Sequence, residues 1–252
     1  MEIPLDLAWT EATMLAGVRI VAFLIIAPPF SSSAIPVRVK AMLGMGLALA
    51  VSPRAASGYV TLDTAPFFGA LLSEIIIGAL LGFLVFIVFA AIQSAGGLID
   101  MFGGFQLAQA FDPQMMINGA QFTRLFQMTA LALLFASDGY QLIIGGLSRS
   151  FSALPIGVGI DLAEPAQAIT AAVGQMFLAA VQIAGPLIVV LFLADVGLGL
   201  LTRVAPALNA FSLGFPLKIL LTVLLAAVAF VVLPQIVASL TDDAVDAMLG
   251  VY

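Results

Sequence analysis

Residues 65–99 read APFFGALLSEIIIGALLGFLVFIVFAAIQSAGGLI, an apolar run in which Glu74 is the single charged residue. A helix needs roughly 20 apolar residues to cross the hydrocarbon core of a bilayer, and this run is much longer. Its Val and Ile residues are scattered among Leu, Ala and Gly without sustained alternation, which favours helix over strand. Because the run exceeds one span, we expect more than one helix, with a bend at Gly96 and Gly97. This stretch indicates an integral membrane protein.

The rest of the chain has the same apolar character. Of its 252 residues, 63% are hydrophobic and 9% are charged, whereas roughly a quarter of the residues in soluble domains are charged. Six apolar blocks run over residues 12–30, 39–53, 65–99, 120–147, 166–201 and 211–240. We therefore predict an all-α, polytopic membrane protein of helical hairpins, with a single integral membrane domain over residues 1–252.

Missing residue types narrow the range of functions. The chain has no cysteine and no histidine, which removes disulfides, thiolate nucleophiles, imidazole bases and Cys- or His-ligated metal sites. The common hydrolase, metalloprotease and nucleotide-binding motifs are also missing from the sequence. A net charge of −6 argues against a nucleic-acid partner. We expect no enzymatic activity, no cofactor and no bound metal.

Basic residues beside the apolar blocks give a weak signal for the orientation of the chain in the membrane. Arg38 and Lys40 follow the first block and Arg203 follows the fifth, and the positive-inside rule would place all three on the cytoplasmic side. Arg54 and Arg149 count against this orientation. The first residues carry acidic side chains and no basic one, so we expect no cleaved signal peptide.

Charged side chains interrupt the apolar blocks. A charge near the bilayer centre costs roughly 2.5–3.5 kcal/mol on the insertion scale, so such side chains are expected to face protein. For Glu74 and Asp195 two interpretations stay open, namely neutralisation by a buried Arg or Lys and proton or cation coupling in a transporter. The candidate intramembrane and assembly charges are Arg19, Glu74, Arg124, Asp195, Arg203 and Lys218.

Glycine and proline add expectations about packing. Gly78 and Gly82 have the GxxxG spacing that lets two helix backbones approach closely, either within the chain or between subunits.

Over residues 203–218 a cation, two prolines, an asparagine and a glycine separate two apolar helices. We expect Pro206 and Pro216 to stop helices there and to form a structured corner.

The longest polar interruption runs over residues 100–122. Its Gly-Gly, Asp-Pro and Asn-Gly pairs favour turns, yet several of its side chains are Phe or Met. Methionine is flexible and polarizable, which suits a deformable seal. We expect this loop either to pack into protein, where it lines or closes a cavity, or to lie at the membrane interface.

The order of motifs resembles the FliR family of flagellar type III export-gate proteins. The matching stretches cover about residues 10–240 and include APPF at 27–30, IPVRVK at 35–40, EIIIG at 74–78, AGGLID at 95–100, SDG at 137–139 and the region 203–218. Ala207 departs from the pattern, because a glutamine is expected after the proline. The family-signature residues are Pro36, Arg38, Pro206, Asn209, Phe211, Gly214, Phe215 and Pro216.

The resemblance implies a multi-pass subunit of the gate that secretes unfolded flagellar substrates, in the inner membrane at the flagellar basal body. Its members assemble with FliP and FliQ near FlhB and FlhA, in contact with membrane lipid. It implies a pore plug or gating loop formed by Phe105, Phe111, Asp112, Pro113, Met115, Met116 and Phe122. A virulence-type homologue of the same gate is the alternative, and a proton-coupled secondary transporter is the alternative from another class.

Overall fold

The protein is described by a computed structural model that covers residues 7–33, 35–106, 121–157, 163–205 and 210–250. Within these ranges the chain is helical and contains no strand, which confirms the predicted all-α class. Its helices are α1 Leu7–Ile26, α2 Val37–Ala55, α3 Thr64–Phe102, α4 Gln121–Ala136, α5 Gly139–Ala153, α6 Ala163–Val204 and α7 Ala210–Leu249.

Several of these helices are able to cross a membrane. In the described part of the chain α1, α3, α6 and α7 are long and apolar enough, and α4 with α5, bent by 76°, can form a fifth span. The helices α3, α6 and α7 have 39, 42 and 40 residues. At about 1.5 Å per residue they are roughly 60 Å long, twice the thickness of the hydrocarbon core. The six predicted blocks therefore approximate the helices but underestimate the longest ones.

Two predictions about helix breaks are wrong. Residues 65–99 form one helix, because Gly96 and Gly97 lie inside α3, which continues to Phe102. Pro216 does not stop a helix either, since α7 begins at Ala210 and continues through it. Transmembrane helices tolerate proline because neighbouring groups satisfy the freed carbonyl. Pro206 lies outside the described residues.

Contacts between residues divide the chain into two compact units. The first unit combines the residues up to Phe89 with Asp138–Val173 and the residues from Leu240 onward. The second unit combines Ala90–Ser137 with Gly174–Ser239. The helices α3, α6 and α7 contribute residues to both units. The single domain over residues 1–252 stays a prediction.

In the first unit, α1 and α2 pack against each other as a helical hairpin. The contact is close because Gly44 faces Val21, where a Cβ atom on the glycine would lie 2.5 Å from the Val21 Cγ2 atom. One turn along α2, Ala48 faces Gly17 of α1. Small residues thus let this hairpin form with little space between its backbones.

In the second unit, α4 packs through aromatic side chains. The ring of Phe126 in α4 lies 5.3 Å from the ring of Phe230 in α7 and 6.4 Å from that of Phe122. Phe126 is completely buried. Aromatic pairs at these distances add about 0.5–1.5 kcal/mol each to the burial of their surface, so this cluster fixes α4 against α7.

Candidate functional site

A fully buried ion pair lies at the centre of the first unit. Arg19 of α1 and Glu74 of α3 are both inaccessible to solvent. The Arg19 Nε atom donates to Glu74 Oε2, and the Arg19 Nη2 atom donates to Glu74 Oε1 at 3.0 Å. This two-bond geometry is the one in which guanidinium and carboxylate interact most strongly. It ties α1 to α3 in the interior of the unit.

The remaining donors of Arg19 bind the end of α5. Its Nη1 atom donates to the carbonyl and to the hydroxyl oxygen of Ser150, both at 3.3 Å, and Nη2 donates to the Leu154 carbonyl at 2.9 Å. The guanidinium carbon also lies 4.3 Å from the centre of the Phe151 ring. Each N–H group of Arg19 therefore has an acceptor. A cation at the carboxyl end of a helix also interacts favourably with the helix dipole.

The glycines of the GxxxG pair make this arrangement possible. A Cβ atom on Gly78 would lie 2.1 Å from the Arg19 carbonyl oxygen, and one on Gly82 would lie 2.9 Å from the Phe23 carbonyl oxygen. The prediction of close backbone approach is confirmed, and the approach is between α1 and α3 of the same chain. Sequence reasoning nominated Arg19 and Glu74 separately but missed the acceptors that Arg19 finds at the end of α5.

A second buried carboxylate holds the start of α4. Asp100 of α3 is completely buried, and its Oδ1 atom accepts a hydrogen bond from the Phe122 amide at 2.9 Å. Its Oδ2 atom accepts from the amide and from the hydroxyl of Thr123, both at 2.8 Å. These amides belong to the first turn of α4, where the backbone N–H groups have no acceptor within their own helix. Asp100 thus performs the task of an N-cap residue from another helix.

Gly96 brings the two helices close enough for this cap. It lies one turn before Asp100 on α3, and a Cβ atom on it would lie 2.7 Å from Thr123 Cα and 2.8 Å from the Phe122 carbonyl oxygen. The glycine therefore serves a contact between α3 and α4 within a continuous α3. Asp100 was not predicted as a site residue.

The predicted plug loop is described only at its two ends. The rings of Phe105 and Phe122 meet edge to face, with centroids 5.0 Å apart. This contact and the Asp100 cap hold together the residues that flank segment 107–120. The remaining predicted plug residues lie outside the described residues: Phe111, Asp112, Pro113, Met115 and Met116.

A second ion pair lies in the second unit and is partly exposed. Lys218 Nζ of α7 lies 2.7 Å from Asp195 Oδ2 of α6, with 24% and 47% of the two side chains exposed. Glu74 is thus paired with a buried cation, whereas the cation beside Asp195 is partly exposed. The other two candidate charges, Arg124 and Arg203, are exposed.

The family-signature residues are distributed over several elements. Pro36 is the N-cap of α2, and Arg38 is exposed in the first turn of that helix. In the second unit, Gly214 approaches Leu198, and Phe215 lies beside Gly104. Pro206 and Asn209 lie outside the described residues, and of Phe211 the structure describes the helical backbone alone.

Known proteins show the same pattern along most of the chain. The family described as "Bacterial export proteins, family 1" matches residues 10–244. The chain is 32% identical to "Flagellar biosynthetic protein FliR" of Pectobacterium carotovorum subsp. carotovorum over 96% of the chain and 93% of that protein. Its identity to the FliR of Escherichia coli (strain K12) is 34%, over 84% of the chain and 82% of that protein. "Yop proteins translocation protein T" of Yersinia pestis is 29% identical over 73% and 75%.

Proposed function

Because this chain belongs to the FliR family of bacterial export proteins, we propose that it is a subunit of the flagellar type III export gate. It would sit in the inner membrane at the basal body, form part of the wall and gate of the export pore, and pass unfolded flagellar substrates. The match over residues 10–244 carries this proposal. The two flagellar relatives match over 96% and 84% of the chain, against 73% for the translocation protein, which favours a flagellar over a virulence role.

The surfaces of α6 and α7 support a role in a larger assembly. In the most apolar 18-residue stretch of each helix, 22% of the residues of α6 and 17% of those of α7 are buried, against 61% for α3. The half-exposed Asp195–Lys218 pair lies among these side chains, and a charge pair facing lipid is costly. FliP and FliQ are the proposed partners that cover these helices, with FlhB and FlhA nearby. The exposed apolar residues near the pair are Phe192, Leu193, Val196, Leu217 and Leu220.

The loop between α3 and α4 is the proposed plug of the closed pore. Two features of the described residues support this assignment. Asp100 fixes the first turn of α4, and the Phe105–Phe122 contact joins the two ends of the loop.

Deletion of residues 110–118 tests the plug in the bacterium that makes this protein. We expect the deletion strain to leak small molecules through the closed gate, measured as uptake of a dye or loss of ions. As a control, Arg149→Gln alters an exposed charge far along the chain and should leave the membrane tight. A deletion strain that neither leaks nor changes flagellar secretion contradicts the plug assignment.

The transporter alternative is less well supported. Both carboxylates that would couple ions, Glu74 and Asp195, are already paired with a cation. Glu74→Gln separates the two functions. A transporter would keep its fold and lose coupling, whereas an export-gate subunit would chiefly lose stability and assembly.

A further inference from the structure

The helix α3 ends at two glycines that the structure requires for different reasons. Gly104 has a left-handed backbone with φ of 82°, a conformation that ends many helices and that glycine adopts without strain. Gly103 precedes it, is buried, and donates its amide to the Ile99 carbonyl at 2.8 Å. These two residues set the direction in which the chain leaves α3 toward α4.

A buried threonine of α7 occupies the space where a side chain at position 103 would lie. A Cβ atom on Gly103 would be 2.7 Å from the Thr222 Oγ1 atom and 3.0 Å from the Thr222 Cγ2 atom. Thr222 is completely buried, and its hydroxyl donates to the Lys218 carbonyl oxygen at 2.7 Å, which fixes the side chain. The backbone of α3 therefore packs directly against α7 at this point.

A phenylalanine of α7 makes a second contact with the end of α3. A Cβ atom on Gly104 would lie 3.4 Å from the Phe215 Cε2 atom, an ordinary van der Waals distance. Phe215 and Thr222 are seven positions apart, which is about two turns, so they share one face of α7. This face of α7 thus contacts both of the last residues before the loop.

The helix α6 holds the same stretch of α7 in place. Lys218 lies between the two contact residues along α7, and its Nζ atom is 2.7 Å from Asp195 Oδ2 of α6. A Cβ atom on Gly214 would lie 3.1 Å from the Leu198 Cδ1 atom, so the two helices also approach closely there. Around the end of α3, the second unit therefore brings three helices together.

We propose that Phe215 and Thr222 position the start of the loop between α3 and α4, residues 103–106. Asp100 holds the residues at the other end of this loop through the first turn of α4. The two ends are thus held by separate contacts, and α7 determines where the chain leaves α3. The consequence for the pore rests on the proposed function, in which this loop is the plug. Displacing the contact with α7 then shifts one end of the plug and opens the closed gate to small molecules.

Hydrogen exchange of the amide at position 103 tests this contact in the full chain, purified with whatever subunits accompany it. Gly103→Ala places a methyl group against Thr222 and should speed the exchange about fivefold or more, because overpacking displaces the end of α3. Thr222→Ala in the same chain removes the Oγ1 and Cγ2 atoms that this methyl group meets. The double variant should therefore exchange more slowly than Gly103→Ala alone. The Phe122 and Thr123 amides, which Asp100 holds, should stay protected in each variant.

Matched variants show whether the effect belongs to this contact. Gly69→Ala makes the same substitution in the same helix, where nothing lies within 4 Å of the position of a Cβ atom, and should leave the exchange at Gly103 unchanged. Phe215→Leu shortens the side chain beside Gly104 and should speed the exchange about twofold, which tests the proposal even if Gly103→Ala does not fold. Unchanged exchange in folded Gly103→Ala or in Phe215→Leu, or a double variant no slower than Gly103→Ala, overturns the proposal.

A leak assay separates this proposal from the proposed function. In the bacterium, Gly103→Ala should admit a small dye through the closed gate, and Thr222→Ala in the same chain should reduce that leak. Faster exchange without a leak supports the positioning of the α3 end by α7 and contradicts the plug instead.

Discussion

At the scale of single residues, the buried Arg19–Glu74 pair dominates the first unit. Removing one partner of a buried pair leaves an uncompensated charge and costs about 3–5 kcal/mol. We therefore expect Glu74→Gln to lower the thermal stability of the purified protein and its amount in the membrane. Arg54→Gln, which alters an exposed cation, should have little effect. A Glu74→Gln protein of normal stability would contradict a structural role for the pair.

A double variant separates the effect of an unpaired buried charge from the effect of altered side-chain packing. Replacing both Arg19 and Glu74 by Met removes both charges together, and buried pairs replaced by apolar side chains are often as stable as before. We expect the double variant to recover part of the stability that Glu74→Gln loses. The recovery will be incomplete because Ser150 and Leu154 then lose the donors of Arg19.

Gly78 gives a second prediction at this scale. Gly78→Ala would place a Cβ atom against the Arg19 carbonyl oxygen, whereas Gly46 of α2 has nothing within 4 Å of the corresponding position. Overpacking costs about 1–3 kcal/mol, while Ala in an open helical position is about 0.5–1 kcal/mol more favourable than Gly. Unfolding of the two variants in detergent should therefore shift in opposite directions. Equal tolerance of both substitutions would contradict the close approach of α1 and α3.

At the scale of helices, the cap of α4 is the most specific feature. Asp100→Asn keeps one acceptor oxygen but loses the charge and the second acceptor. The loss of an N-cap costs about 0.5–2 kcal/mol. We expect faster hydrogen exchange at the Phe122 and Thr123 amides, with the amides of α5 unchanged. Unaltered exchange at those two amides would show that Asp100 does not hold α4.

The helices could be predicted from the sequence better than their ends. Apolar length and the lack of alternation identified them, because both properties are local. The continuity of α3 through Gly96 could not be predicted, since the glycine serves a contact with Thr123 that lies far along the chain. The bend between α4 and α5 follows from Asp138, whose backbone is left-handed with φ of 56°. In the sequence this position stood out only as part of the SDG motif of the family resemblance.

The candidate site could be predicted in its residues but not in its contacts. Intramembrane charge is costly, so Arg19, Glu74, Asp195 and Lys218 stand out in any apolar chain. That Arg19 pairs with Glu74 depends on how segments 55 positions apart pack together, and its Ser150 acceptor is 131 positions away. The role of Asp100 was missed because a cap is expected next to its own helix, whereas this one comes from 22 residues earlier.

At the scale of the whole molecule, one part of the apolar surface is buried within the chain and another part is exposed. The buried face of α3 belongs to the interior of the chain, while α6 and α7 leave most of their spanning residues exposed. Their length of roughly 60 Å exceeds one hydrocarbon core, so part of each helix extends beyond the hydrocarbon. We therefore propose that the exposed apolar surface of these helices serves assembly as well as anchoring in the membrane.

Purification of the chain from its own bacterium tests the central claim most directly. A tagged copy expressed at its natural level is extracted in mild detergent, and the subunits that accompany it are identified by mass spectrometry. We predict a stable complex with FliP and FliQ, which weakens when Asp195→Lys reverses one charge of the exposed pair. A chain that purifies alone and transports ions or solutes after reconstitution into vesicles would contradict the proposed export gate.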